Sequence, residues 1–135
     1  MWARMLASLH PDLCYNELLS ELPALVALDE PYVAFLALDQ ESRPVGVIDA
    51  RVRNYAEGSP ELRAAYVEDL WVEPHVRRRG VAAALLHEVE QWARAQGVQW
   101  LGSDTTPDNL ESASWHAAAG FTEVERLVVF GKPLG

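Results

Sequence analysis

The groups best placed to do chemistry lie in residues 66–86, YVEDLWVEPHVRRRGVAAALL. Arg77, Arg78 and Arg79 stand directly before Gly80, and an apolar-periodic segment opens at Val81 and Ala82. Val81, Leu85, Val89, Trp92 and Ala93 recur at helical spacing, so a helix starts just after the glycine with one stripe toward a core. Upstream, Val67, Leu70, Trp71 and Val72 suit a pleated sheet, and Pro74 ends that strand. The arginines therefore sit at a helix N-terminus, where the first N–H groups lack intrahelical partners and the dipole is positive. Gly80 lets a bulky anion approach the backbone. On its own an Arg-Arg-Arg run is a solvated turn; this placement makes it a binding site for a diphosphate-bearing ligand.

The turn Arg77-Arg78-Arg79-Gly80-Val81-Ala82, between strand and helix, resembles the R/Q-x-x-G-x-G/A pyrophosphate loop of the GNAT superfamily of acetyl-CoA-dependent N-acetyltransferases. A later series is similar to the C-terminal half of the aminoglycoside 6′-N-acetyltransferases: Ser103-Asp104-Thr105, Asp108-Asn109, Ser112, His116, Gly120-Phe121 and Val124-Glu125-Arg126. The resemblance runs from about residue 70 to the end, and more loosely toward the start.

Acetyl transfer from a thioester to an amine requires a held donor, a neutral amine, a stabilised oxyanion and a protonated thiolate. The resemblance implies that backbone groups around Leu70, Trp71 and Val72 hold the pantetheine arm, with an N–H near Leu70 on the thioester carbonyl. It implies that Arg77 and the backbone from Arg78 through Arg79, Gly80 and Val81 to Ala82 hold the pyrophosphate, and that Asn109 also contacts the coenzyme. Glu68 takes the place of the glutamate in a Leu-Glu-Gly-like tripeptide and is the first candidate base. Asp69 replaces the usual glycine, which alters the strand's bulge or adds a carboxylate for the substrate. Asp104, at the end of the next parallel strand, is the second candidate base, since carboxylates there face the ligand crevice of an open sheet. Glu57 and Glu61 add negative charge on the acceptor side. His116 stands where many members carry a tyrosine and can protonate the thiolate, its pKa being near neutrality. The plain alternatives are solvated acids for the carboxylates, a helix cap for Asn109 and a packing role for His116.

The rest of the chain must position these groups. Its 135 residues, half hydrophobic and 23% charged, suit one domain, 1–135. A formal net charge of −9 argues against nucleic acid and favours cationic partners, and the resemblance implies that the partner is a cationic small-molecule amine. No apolar run is long enough for a membrane span, and MWARMLASLHPD lacks a signal-peptide pattern, so a cytoplasmic location is expected. Cys14 is the single cysteine and reads as a small buried residue; it excludes an internal disulfide. His10, His75, His87 and His116 show no metal-ligand spacing, so no metal is expected.

In chain order, Trp2, Met5, Leu6 and Leu9 share a helical face, and a second helix from Asp12 carries Leu18, Leu22 and Leu25. No strand precedes them, so the family's first strand is expected to be missing. His10 falls in a Ser-Leu-His-Pro-Asp run that resembles a Leu-Trp-Pro segment of the antibiotic-modifying relatives. Residues 32–38 and 45–52 form a hairpin around a turn at 40–44, and 54–63 is a loop. After the central strand and helix, Gly97 is a stop, and 98–101 begins a strand. Asp108 caps the next helix with Glu111, Gly120 ends it, and 121–132 is strand-like. The expectation is an α/β protein with a mixed sheet flanked by helices, the GNAT fold, with parallel strands splayed at the acetyl-CoA site. The expected activity is direct transfer from acetyl-CoA to an amine, an aminoglycoside 6′-amine being the specific form. A peptide N-terminus, lysine or polyamine acceptor is the alternative, as is a non-catalytic acyl-CoA-binding domain. The tail implies a homodimer.

Overall fold

The computed structural model describes residues 31–135. The expected N-terminal helix pair, the missing first strand, His10 and Cys14 lie outside these residues. The described residues form two compact units, 31–103 and 104–135.

In the first unit, β1 (Tyr32–Leu38), β2 (Pro44–Arg53), β3 (Ala64–Val72) and β4 (Leu101–Gly102) form one sheet in the order β1-β2-β3-β4. The first three are antiparallel neighbours, and β4 joins β3 in parallel. This is the mixed sheet expected. Asp39 closes the hairpin turn: its Oδ1 accepts from the Arg43 and Glu41 N–H groups at 2.8 and 2.9 Å. Those bonds, Arg43's first, hold the Asp39 carboxyl below the usual carboxylate range.

Helix α1 (Val81–Ala95) buries Val81, Leu85, Leu86, Val89 and Ala93, the expected stripe widened by Leu86. It packs on one face of the sheet, where Val52, Ala65, Ala93 and Val98 form a buried cluster with Trp92 and Leu101 against it. Because side chains alternate along a strand, that face takes Ile48, Ala50 and Val52 of β2, and the other takes Asp49, Arg51 and Arg53. The strand expected over 98–101 shrinks to Leu101–Gly102; the Val98 N–H instead donates to Ala93 O of α1 at 3.3 Å.

In the second unit, α2 (Leu110–Ala118) is capped by Asn109, whose Oδ1 accepts the Ser112 N–H at 3.0 Å. The cap thus falls one residue after the expected Asp108. Residues 121–132, expected to be strand, join no sheet among the described residues. No described helix is long and apolar enough to cross a membrane.

Candidate active site

The sheet opens where the chemistry is expected. β4 pairs with β3 only at Ala65–Leu101 and Tyr66–Gly102, supported by the Ala65 N–H donating to Trp100 O at 2.9 Å. Beyond Tyr66, six residues of β3 have no strand beside them on that edge among the described residues. The Glu73 N–H donates to Val45 O at 2.8 Å, which fixes the register at the strand's end. Backbone groups alternate between the two edges of an antiparallel strand. Leu70 and Val72 therefore turn their N–H and C=O groups to the open edge. Val72 O accepts from Arg77 Nε at 3.1 Å, which ties the start of the arginine turn back to the strand.

The turn then presents amides to the same region of chain. Arg78 (φ 67°) and Gly80 (φ 83°) both adopt left-handed conformations. For a non-glycine residue that costs about 1–2 kcal/mol, and such strain gathers at ligand sites. The first backbone bond of α1 runs from the Ala84 N–H to Gly80 O, and no side chain caps the helix. The amides of Val81, Ala82 and Ala83 thus lie before the first hydrogen-bonded turn, with Arg78 and Arg79 exposed beside them. This donor set fits a diphosphate: uncapped N–H groups at a positive dipole end, with two exposed guanidinium groups.

A β-bulge re-aims the residues before the open edge. Asp49 pairs with Asp69 but the next residue of β2, Ala50, pairs with Val67, so Glu68 is the extra residue. An extra residue moves every later side chain to the other face. Leu70 and Val72 consequently face α1, while Asp69 joins Glu68 on the polar face. Glu68 accepts a two-pronged bond from Arg53, Nε to Oε2 and NH2 to Oε1, both 3.0 Å. Arg51 Nε approaches Glu68 Oε2 at 3.4 Å. The Arg53 guanidinium lies 3.6 Å from the ring centroid of Tyr66, and that of Arg51 lies 5.3 Å from the Tyr32 ring. Buried Asp49 accepts the Tyr32 hydroxyl at 2.5 Å. Burial first, then that bond, pushes the Tyr32 hydroxyl above the ordinary tyrosine range. Asp69 is exposed and makes no hydrogen bond or ion pair with a described residue. Trp71 is exposed on the polar face, opposite Val47, and Glu57 is half-buried in the loop between β2 and β3.

The second unit holds the remaining sequence candidates. Asp104 is its exposed first residue. Asn109 spends its side-chain oxygen on the helix cap. His116 Nδ1 lies 2.8 Å from Ser112 O, which can only accept, so the ring carries its proton on Nδ1. Its ring also packs edge-on to Trp115 and Phe121, at 5.0 and 5.1 Å between centroids.

The model of the Acetyltransferase (GNAT) family matches residues 2–121. The chain belongs to the GNAT acetyltransferase family. It is 36% identical over 135 residues to the aminoglycoside N(6′)-acetyltransferase type 1 of Klebsiella aerogenes, covering 98% of this chain and 89% of that one. Among solved structures it is similar to the aminoglycoside 6′-N-acetyltransferase AAC(6′)-Ih of Acinetobacter baumannii. That match has a TM-score of 0.75 and 32% identity over 84% of this chain and 77% of that one. AAC(6′)-Iy in complex with the bisubstrate analogue CoA-S-monomethyl-acetylneamine also matches at a TM-score of 0.75. There the identity is 31%, over 82% of this chain and 75% of that one.

Several residues that shape this GNAT site escape a reading of the sequence. Tyr32, Asp49, Arg51, Arg53, Tyr66 and Gly102 come from four separated stretches and meet only through strand pairing. The available signal was the polar alternation Asp49, Arg51, Arg53 inside an apolar strand, which marks a polar sheet face. The depression lined by Glu61, Leu62, Arg63, Gly97 and Val98 lies at the opposite end of β3 from the arginine turn.

Proposed function

We propose that this GNAT domain transfers the acetyl group of acetyl-CoA directly to a primary amine of a polycationic small molecule, the 6′-amino group of an aminoglycoside. The observation that carries the reading is the open edge of β3 leading into an uncapped, arginine-flanked helix start. The relatives named for this activity, and the related structure holding CoA joined to an acetylneamine, support it.

In this reading the amides of Val81 and Ala82, with Arg78, Arg79 and Gly80, hold the diphosphate, while Arg77 steadies the turn through Val72 O. Backbone groups of Leu70 and Val72 extend the pantetheine arm as an added strand along the open edge, past Trp71. Acetyl-CoA, when bound, supplies the acetyl group as a thioester. The Leu70 N–H polarises that carbonyl, and the acidic pair Glu68 and Asp69 meets the cationic acceptor one residue away. Asp104, Asn109 and His116 keep the roles the resemblance implies, of second base, coenzyme contact and proton donor. A net charge of −9 draws in such an acceptor. The protein works in the cytoplasm, where acetyl-CoA is supplied, and as a homodimer; exposed Leu127, Val128, Val129 and Phe130 support pairing with a second copy.

The test is incubation of the purified protein with acetyl-CoA and kanamycin, following free thiol, beside peptide N-termini, lysine and polyamines. Thiol release with kanamycin above all other amines is expected. Release with another amine alone would remove the aminoglycoside and keep the transferase. Light scattering of the same protein checks the dimer.

A further inference from the structure

The helix start that carries the diphosphate amides rests on a strand position without a side chain. Gly46 of β2 pairs with Val72, the last residue of β3. Strand alternation puts it on the α1 face, in line with Ile48, Ala50 and Val52. A Cβ built on Gly46 would stand 3.1 Å from both Val81 Cγ1 and Leu85 Cδ1, and 3.2 Å from Trp71 O. Relaxed carbon contacts lie at roughly 3.5–4.0 Å, so a methyl group there requires something to move by a few tenths of an ångström. Val81 and Leu85 are both buried, and a β-branched valine has little rotamer freedom in a helix. The overlap is therefore relieved by main chain.

The two sides of the contact are held differently. On the strand side the ladder is continuous, with Gly46–Val72 next to Val47–Trp71 and the Glu73 N–H on Val45 O at 2.8 Å. On the helix side α1 opens without a side-chain cap, after Arg78 and Gly80 in left-handed conformations. Its first turn is pressed on β2 by the burial of Val81 and Leu85, a force without direction. The helix start is the part that yields. Val81 is its first residue, so a shift of that residue carries its N–H away from the position beside Val72.

We propose that Gly46 is a positioning residue of the diphosphate site. Its missing side chain sets how closely the first turn of α1 seats on the sheet, and hence where the amides of Val81 and Ala82 stand relative to the open edge. The inference rests on the diphosphate reading above and adds to it the residue that seats the helix.

The test compares CoA with pantetheine, which keeps the arm and lacks the diphosphate. The full chain, Gly46→Ala, and Gly46→Ala combined with Val81→Ala are titrated with CoA by calorimetry, and pantetheine is measured by its displacement of CoA. Gly46→Ala is expected to weaken CoA roughly fivefold or more while pantetheine stays within about twofold. A merely structural role would weaken both in proportion, and that result overturns the inference, as does unchanged CoA affinity. Val81→Ala removes the methyl groups that the new one presses on and gives Leu85 Cδ1 room to turn aside. The double variant should therefore bind CoA more tightly than Gly46→Ala; no recovery overturns the contact with Val81 as the cause. If Gly46→Ala alone unfolds, a folded double variant that binds CoA supports the same contact, and its unfolding as well overturns it. A parent that binds CoA no more tightly than pantetheine is a separate result: it overturns the diphosphate reading itself, and this inference with it.

Discussion

Gly102 of β4 lies against the ring of Tyr66 on β3, so closely that a methyl group there would stand 2.7 and 2.8 Å from Cδ1 and Cε1. Both are members of the short parallel pairing that ends just before the sheet opens. The ring has little room to retreat, since Ala56 and Ala64 are buried beside it with Trp100 against the cluster. Gly102→Ala is therefore overpacking, expected to cost about 1–3 kcal/mol in urea denaturation. Because the ring also carries Arg53, the same change should loosen the Arg53–Glu68 fork. A stability equal to the parent's would show that the ring shifts at no cost.

Tyr32 gives a second prediction, in alkali. Its hydroxyl donates to buried Asp49, and Tyr32→Phe removes that donor. The cost at neutral pH should be about 1–3 kcal/mol. The sign of the pH dependence follows from the raised folded-state pKa, caused first by burial and then by Asp49. The unfolded chain gives up this proton near pH 10, the folded one only at higher pH. Stability from the protonated hydroxyl is thus fully present below about pH 10 and is lost as pH rises beyond it. The difference between parent and Tyr32→Phe should narrow above that point. A difference constant from neutrality to strong alkali would speak against the link.

Gly80 is required for its conformation, because nothing lies within 4 Å of where its Cβ would stand. With φ at +83°, Gly80→Ala should cost about 1–2 kcal/mol of local strain. A turn that relaxes to escape this strain withdraws its amides from the helix start. CoA affinity, measured by calorimetry, should fall about tenfold or more, the equivalent of that strain. Undiminished affinity in the alanine variant would mean that the phosphates bind elsewhere.

Much of this was legible in the sequence because the signals are local. A continuous apolar run marks Tyr32–Leu38 as a strand, an apolar run that passes into polar alternation marks Pro44–Arg53, and periodic Val81, Leu85 and Val89 mark the helix. The arginine turn is readable for the same reason, since Gly80 and the helix start are neighbours in sequence. The face of Asp69 is not readable that way. Alternation counted from Tyr66 puts Asp69 under α1, and only pairing with Asp49 shows that one residue has been inserted. Nor is the occupancy of Glu68, whose partners on β2 lie 15 and 17 positions away in sequence. The β-forming run at 127–130 is the converse case. Its composition suits a strand, but a strand needs a neighbour, and within the described residues it has none.

The three arginines should separate in their response to salt. Arg77 spends its Nε on Val72 O, whereas Arg78 and Arg79 are exposed beside the uncapped amides and make no hydrogen bond or ion pair with the described residues. Exposed charges attract a phosphate through water and are screened, over about 10 Å at 0.1 M ionic strength. Arg78→Ala and Arg79→Ala should each weaken CoA binding by roughly three- to tenfold at low salt. The loss should shrink toward nothing as salt is raised, because the parent loses the same attraction to screening. Arg77→Ala removes a hydrogen bond that anchors the turn, so its loss of affinity should persist in high salt and accompany a lower melting temperature. Calorimetric titrations at two ionic strengths distinguish these patterns. Parallel salt dependence in all three variants would show that Arg77 acts on the phosphates through its charge, and would remove the anchoring role that its bond to Val72 implies.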